Sequence, residues 1–171
     1  NDGKRYTTWL SLKTGKEYRL PSESEWEYAA GGGIDSADFW EGPDSVSCDY
    51  ANLVENNNCD DGYELAAPVG SYRANAFGLY DMVGNVAEWV EDCWYDNYDE
   101  IPSDGGVQIR GSGIVQSEPL EKYPDGDCRL KIYRGGHWGS SFEQIRAASR
   151  VGWGMEIKSD NIGLRIVRTL Q

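Results

Sequence analysis

The chain has 171 residues and a formal charge of 16 − 29 = −13, with 39% apolar and 26% charged residues. That is the composition of one globular domain with a real core, and it is short for two. The negative balance excludes DNA, RNA and anionic membrane surfaces as natural partners. No run of about 18 apolar residues is present to span a bilayer. No signal peptide is visible either, and a mature or truncated start would hide one. Seven Trp, eleven Tyr and 21 Gly predict a fold held by aromatic packing and turns more than by long helices.

Taken in chain order, Asp2 to Thr14 carries Tyr6, Trp9 and Leu10 at helical spacing and stops at Gly15. A second helix is marked more strongly. Pro21-Ser22-Glu23-Ser24-Glu25 offers an N-cap serine with Glu three residues later, a capping box, before Trp26, Tyr28, Ala29 and Ala30. Gly31-Gly32-Gly33 ends it. Glu23, Glu25 and Glu27 read as a capping and solvated set, because i and i+2 on a helix point apart. From Ile34 to Ala66 the chain is turn-rich and acidic and reads as loops. A strand is predicted from Val86 to Trp94, then a long loop from Tyr95 to Asp127, rich in Gly and Pro. The last stretch reads as three strands, Leu130 to Trp138, Ile145 to Trp153 and Ile162 to Leu170. With no internal repeat and no clear linker, the expectation is a single loop-rich α+β domain over 1–171.

The four cysteines, Cys48, Cys59, Cys93 and Cys128, form no CxxC pair, and the lone His137 cannot complete a Cys/His zinc set. Their even count, order and polar surroundings point to Cys48–Cys59 and Cys93–Cys128 disulfides, and so to an extracytoplasmic protein. Four reduced thiols in a cytosolic protein is the other reading.

Several segments together resemble one family. Arg19-Leu20-Pro21-Ser22-Glu23-Ser24-Glu25-Trp26-Glu27-Tyr28-Ala29-Ala30 is similar to the signature of the formylglycine-generating enzyme (sulfatase-modifying factor) family. So are Ala67-Pro68-Val69-Gly70-Ser71 and the run from Asn75-Ala76-Phe77-Gly78-Leu79-Tyr80 through Asp81-Met82-Val83-Gly84-Asn85-Val86-Ala87-Glu88-Trp89. Arg134-Gly135-Gly136 and Asn161-Ile162-Gly163-Leu164-Arg165 complete the family's order. The resemblance implies a C-type-lectin-like fold with two short helices and small antiparallel sheets. It also implies strands ahead of the first helix, so the chain resembles the C-terminal two-thirds of such a domain.

The family's oxidase converts a sulfatase cysteine to formylglycine with copper held by two cysteines after the Gly-Gly pair. Here that stretch reads Gly135-Gly136-His137-Trp138-Gly139-Ser140-Ser141-Phe142-Glu143-Gln144-Ile145-Arg146 and holds no cysteine. Serine hydroxyls are poor ligands for Cu(I). The family's Ser after Gly-Gly is His137, and its Trp before the Glu-Trp pair is Ala87. The copper oxidase is therefore expected to be lost. His137 could act as a base or a metal ligand, but beside Trp138 on a strand it reads first as a packed or hydrogen-bonded residue.

Calcium is the cofactor the resemblance implies, as one or two structural ions. The family's donors carry over onto the Asp81 and Glu88 side chains with the Gly84 and Val86 carbonyls. A second set falls on the Asn52 and Asp61 side chains with the Leu53 and Tyr63 carbonyls. Hard oxygen donors in tight turns suit Ca²⁺, and Asx-turn chemistry without an ion is the alternative. The irregular C-terminal face, where related proteins vary, is the expected ligand surface: His137, Trp138, Ser140, Ser141, Glu143, Trp153 and Glu156. Rigid rings amid small polar residues suit binding, although both Trp could instead be core. The expected function is a non-catalytic binding module outside the cytoplasm, taking a protein, small-molecule or glycan ligand. The alternative is a structural or accessory subunit of a larger surface or redox assembly, whose partner would be a chain completing the fold. A metal-dependent oxidase acting on a thiol is the remaining rival.

Overall fold

The computed structural model describes residues 1–33, 50–53, 62–96, 101–111, 113–115, 121–123, 128–141 and 145–170. Helix α1 (Asp2–Thr14) ends at Gly15, whose N–H bonds back to the Ser11 carbonyl at 2.9 Å. Its outer side carries Tyr6 and Trp9, with ring centroids 5.7 Å apart and Lys13 over the indole. Strand β1 (Tyr18–Arg19) follows, then α2 (Glu23–Gly31). The capping box that opens α2 is formed as expected. Ser22 Oγ accepts the Glu25 N–H at 3.1 Å, and Glu25 Oε2 accepts the Ser22 N–H at 2.8 Å. Arg19 grips the same carboxylate with two bonds of 2.6 Å and holds it below its ordinary pKa. At the other end Asn75 donates to the Ala29 carbonyl at 2.7 Å, so the 75–89 segment caps α2 as it passes.

The remaining strands are β2 (Ala87–Cys93), β3 (Gly113–Val115), β4 (Glu121–Tyr123), β5 (Leu130–Arg134), β6 (Arg150–Gly154), β7 (Ile162–Leu164) and β8 (Val167–Arg168). The central sheet runs β6-β5-β2-β7, with β1–β8 and β3–β4 as two-stranded ribbons. The α+β class with short helices and small sheets is as the sequence implies. One pairing is parallel: β7 runs alongside β2, matching Glu88 to Gly163. Strand alternation sorts the side chains. Val90, Ile132 and Arg134 face inward, and Trp89, Lys131, Tyr133 and Trp153 face outward. α2 packs on the inner face, where Trp26, Ala30, Leu53, Met82, Val83, Val90, Ile132 and Ile145 form the core.

Four element boundaries differ from the sequence reading. β5 stops at Arg134 because Gly135 and Gly136 turn left-handed, at φ 89° and 68°. The Ile145–Ser149 stretch is a turn, closed by Ser149 N–H to the Arg146 carbonyl at 2.8 Å, and only Arg150–Gly154 is strand. The last strand is split into β7 and β8, which pair with different partners. The expected 95–127 loop contains the β3–β4 ribbon. The Cys93–Cys128 disulfide is present, with Cα atoms 5.1 Å apart, and closes a loop with a sequence separation of 35. Cys48 and Cys59 lie outside the described residues.

Replacing both Cys93 and Cys128 with Ala should cost about 2–5 kcal/mol of stability. Urea unfolding of the double variant beside the parent checks this, and a midpoint unchanged by reductant in the parent would contradict it.

Candidate functional site

The site is built on a buried charge network. Arg134 is fully buried, and such a cation persists in a core only when anions meet it. Its Nη1 donates to Glu23 Oε1 at 2.8 Å, and its Nη2 donates to Glu27 Oε2 and to the Ala147 carbonyl. Arg150 reaches the same Glu23 with two bonds, at 2.8 and 2.9 Å. Burial pushes the Glu23 carboxyl above its ordinary value, the two guanidiniums pull it down, and Asp92 adds to the push. Asp92 caps the start of α2 by accepting the Glu23 N–H at 2.7 Å. Glu25 serves the cap as expected, but Glu23 is not solvated: it is 1% exposed. The reason is the i, i+4 spacing of Glu23 and Glu27, which puts both on the face turned to Arg134.

Above this network the chain leaves β5 through Gly135 and Gly136. A Cβ on Gly136 would lie 2.6 Å from Ile145 and one on Gly135 3.0 Å from Trp26, so only glycine allows the turn this close to the core. The turn is fastened by Gly84 N–H to the Gly135 carbonyl and Trp138 N–H to the Asn85 carbonyl, both at 2.9 Å. Ser140 Oγ accepts the His137 N–H at 3.1 Å, and His137 Nδ1 accepts the Gly139 N–H at 3.1 Å. With Nδ1 accepting, the neutral imidazole carries its proton on Nε2. Burial lowers the His137 pKa, with Asp160 opposing. Beside this turn lies a cleft of about 440 Å³, walled by Tyr133, His137, Ser140, Arg146, Ser149 and Arg150. Arg146 is exposed and has no ion-pair partner among the described residues.

The two implied calcium sets lie side by side, because Asn52 and Gly84 form a parallel bridge. Asp81 and Gly84 both sit at positive φ, and a Cβ on Gly84 would meet the Asn52 carbonyl at 2.4 Å. Asp81 Oδ2 accepts the Gly70 N–H at 2.6 Å, while its Oδ1 is buried without a partner. Asn52 Nδ2 donates to the Leu65 carbonyl at 2.8 Å, and its Oδ1 is likewise buried and unpartnered. Buried orphan acceptors are rare, and each of these belongs to a different implied set. Glu88 is already engaged, accepting Trp26 Nε1 at 2.7 Å and Arg165 at 2.8 and 2.9 Å. Leu53 is buried and Tyr63 exposed. Asp61 lies outside the described residues. No cluster of three His, Cys, Asp or Glu side chains suited to a metal occurs among the described residues.

The expected ligand face does not converge on one spot. His137 and Ser140 line the cleft, although Ser140 is buried and spends its hydroxyl on the turn. Trp138 stands edge-on to His137 with its Nε1–H buried and unpartnered. Trp153 is half-exposed on the outer sheet face beside Tyr133, at 6.1 Å. Glu156 lines a different cavity, beside the first turn of α1. Ser141 is half-buried and Glu143 lies outside the described residues. Sequence reasoning missed Arg134, Arg146, Arg150 and Arg165. In the sequence Arg134 and Arg165 stand only as motif residues, and the Glu23/Glu27 spacing is the signal for a buried cation at Arg134.

The family described as the Sulfatase-modifying factor enzyme 1-like domain matches residues 1–170. The chain belongs to this family. Among its relatives, the Formylglycine-generating enzyme of Streptomyces coelicolor is 30% identical, over 96% of this chain and 49% of its own length. The Inactive C-alpha-formylglycine-generating enzyme 2 of Bos taurus is 28% identical, over 96% of this chain and 46% of its own length. PvdO from Pseudomonas aeruginosa has a similar structure, with TM-score 0.81 and 38% identity, covering 99% of this chain and 59% of that one. The chain thus spans about half the length of these two curated relatives. The family's copper does not fit the residues present. No cysteine follows Cys128 in the sequence, and Cys128 itself is in a disulfide.

Glu23→Gln should cost about 3–5 kcal/mol, because it leaves two guanidiniums facing one neutral amide in the core. Urea unfolding measures it, and a loss below about 1 kcal/mol would contradict the network's role. His137 also makes stability pH-dependent. Its folded imidazole holds a proton less tightly than the unfolded one, so acid favours the unfolded chain. Stability should fall as pH drops below about 6.5. Comparing urea midpoints at several pH values for the parent and His137→Asn isolates this slope, which the variant should lack.

Proposed function

We propose that this domain is a non-catalytic binding module that takes a small polar ligand bearing an acidic group in the His137–Arg150 cleft. The observation that carries this reading is the exposed guanidinium of Arg146, which has no ion-pair partner among the described residues, at the rim of an open cleft. The buried Arg134–Glu23–Arg150 network forms the floor, and a neutral His137 forms one wall. In a chain of net charge −13, an arginine in a concavity with no ion-pair partner among the described residues is a placed donor for a carboxylate, a sulfate or a uronic or sialic sugar. A non-catalytic role also accords with the missing thiolates, and one relative carries the word inactive in its name.

Calcium belongs to the same proposal as a structural ion. Asp81 Oδ1 with the Gly84 and Val86 carbonyls would hold one ion, with Glu88 shared with Arg165. Asn52 Oδ1 with the Leu53 and Tyr63 carbonyls and Asp61 would hold the other. Bound there, the ion supplies charge to the two orphan oxygens and ties the loops that support the Gly135–Gly136 turn. The Cys93–Cys128 disulfide favours an oxidising, extracytoplasmic setting.

Two measurements test this. Thermal shift against a panel of acidic and neutral sugars and inorganic anions should find an acidic binder. Arg146→Ala should weaken that binder about tenfold or more, without lowering the protein's own melting temperature. Oxygen uptake on a cysteine peptide by the copper-loaded protein would overturn the non-catalytic reading. Separately, chelation with EGTA should lower Tm by several degrees, since an ion bound to the native state alone stabilises it. An unchanged Tm on calcium addition and removal would sink the calcium component.

A further inference from the structure

A second cavity, of about 270 Å³, lies on the opposite side of the central sheet from α2, between the outer face and the first turn of α1. Its walls are mainly apolar: Leu20, Trp89, Ile157, Ile162 and Leu164, with the stem of Lys131 rising from β5. We propose that this cavity is a binding site for a small monocarboxylic acid with an apolar or aromatic body, its carboxylate meeting the Lys131 ammonium. This site is separate from the cleft at His137 and does not depend on what binds there.

The argument rests on how Lys131 is placed. Strand alternation sends its side chain to the outer face while its neighbours Leu130 and Ile132 enter the core. The amine is half-buried, and its Nζ donates to the Glu91 carbonyl at 2.7 Å and approaches Cys93 Sγ at 3.7 Å. No carboxylate ion-pairs with it among the described residues. The nearest candidate, Glu91, gives its Oε1 to Lys4 at 2.8 Å. A lysine with a backbone carbonyl and a disulfide sulfur for partners has one N–H still to satisfy, and the nearby Glu91 and Asp92 carboxylates act on its charge without an ion pair among the described residues. Beside it is an apolar void closed on one side by an indole ring. A carboxylate on an apolar body fills both deficits at once: the head supplies the missing anion, and the body covers Trp89, Leu164 and Ile157.

The charged surroundings fit that assignment. Lys4 and Lys158 stand at the same cavity, against Asp2 and Glu156 from the α1 start and the β6–β7 connection, while Glu91 and Asp92 of β2 act on Lys131 from outside the cavity walls. Asp2 lies 3.8 Å from Lys158, and Glu156 accepts from the Asn1 side chain at 2.6 Å. Asp2 is drawn to Lys158 and Glu156 holds the neutral Asn1 amide, so among the described residues neither rim acid ion-pairs with Lys131. Its pKa is pushed down to about 8, by burial first and Lys4 second, with Glu91 and Asp92 opposing. An entering carboxylate reverses that shift, so binding must take up a proton near pH 8.

Calorimetry on the whole protein with phenylacetate and octanoate as probes tests the proposal. Saturable binding is expected at pH 7, weaker by about tenfold at pH 9 as the free amine loses its proton. Near pH 8 the apparent enthalpy should change with the ionisation enthalpy of the buffer. Lys131→Gln should weaken binding at least about tenfold, and Ile157→Trp, which fills the cavity from an exposed position, should abolish it with the fold intact. If Lys131→Gln fails to fold, Ile157→Trp and the parent's pH dependence decide the matter. Failure of both probes to bind at pH 7, equal binding of their methyl esters, or binding without proton uptake at pH 8 would each overturn it. A failure here leaves the cleft reading intact, since Arg146 does not line this cavity.

Discussion

A guanidinium in a hydrophobic core must be answered by anions on the spot, and Arg134 imposes that constraint on the rest of this fold. It stands at the last position of β5, beneath Trp26 at 5.5 Å, with no access to solvent. Its two carboxylates come from α2 and its carbonyl from Ala147, so helix, sheet and the turn before β6 are fixed by one side chain. Hydrophobic contacts among Trp26, Val90 and Ile132 give these elements affinity, but such contacts are non-directional. The charged network supplies the register. Arg150 then extends it to the cleft, so the cleft floor and the core are one assembly.

The loops follow from this anchor. With β5 ended at Arg134, the chain must turn at once, and the pair Gly135–Gly136 does so within van der Waals reach of Trp26 and Ile145. The turn carbonyl and amide are received by Gly84 and Asn85, whose segment is itself fastened to Ala67 through the Asn85 side chain at 2.9 and 3.2 Å. A loop-rich face is thus made rigid by backbone bonds, not by secondary structure. Asp81 and Asn85 hold left-handed conformations that carry a cost in any other setting. Asp81 also carries a buried oxygen without a partner, and Asn52, bridged to Gly84, carries another.

How much of this was legible in the sequence depends on the range of the interaction. The capping box at Ser22 and Glu25 was readable because its partners are three residues apart. The sequence reading of Val86 to Trp94 as a strand runs one residue past Ala87–Cys93 at each end. Glu23 was misread because its partners, Arg134 and Arg150, lie more than a hundred residues away and no local pattern names them. A separation of 77 residues likewise hid the Arg165 bond to Glu88, which changes what that carboxylate can offer a cation. Strand ends were overrun where apolar residues continue past the break, as Trp138 does beyond Gly135–Gly136. The β3–β4 ribbon has only three residues on each strand, too few for alternation to register.

The contrast between two cations on one strand states the electrostatic logic of the molecule. Arg134 and Lys131 both belong to β5 and both lose solvent, yet they face opposite ways. The inward residue is an arginine, whose planar fork meets two carboxylates and a carbonyl and which stays charged in any protein setting. The outward residue is a lysine, a point charge that yields its proton when burial is not compensated. In a chain with 29 acidic residues against 16 basic ones, carboxylates are not scarce. The neighbourhood of Lys131 nevertheless directs Glu91 to Lys4. A deficit kept local in so acidic a protein is a property of placement, and placement of that kind is what a binding pocket requires.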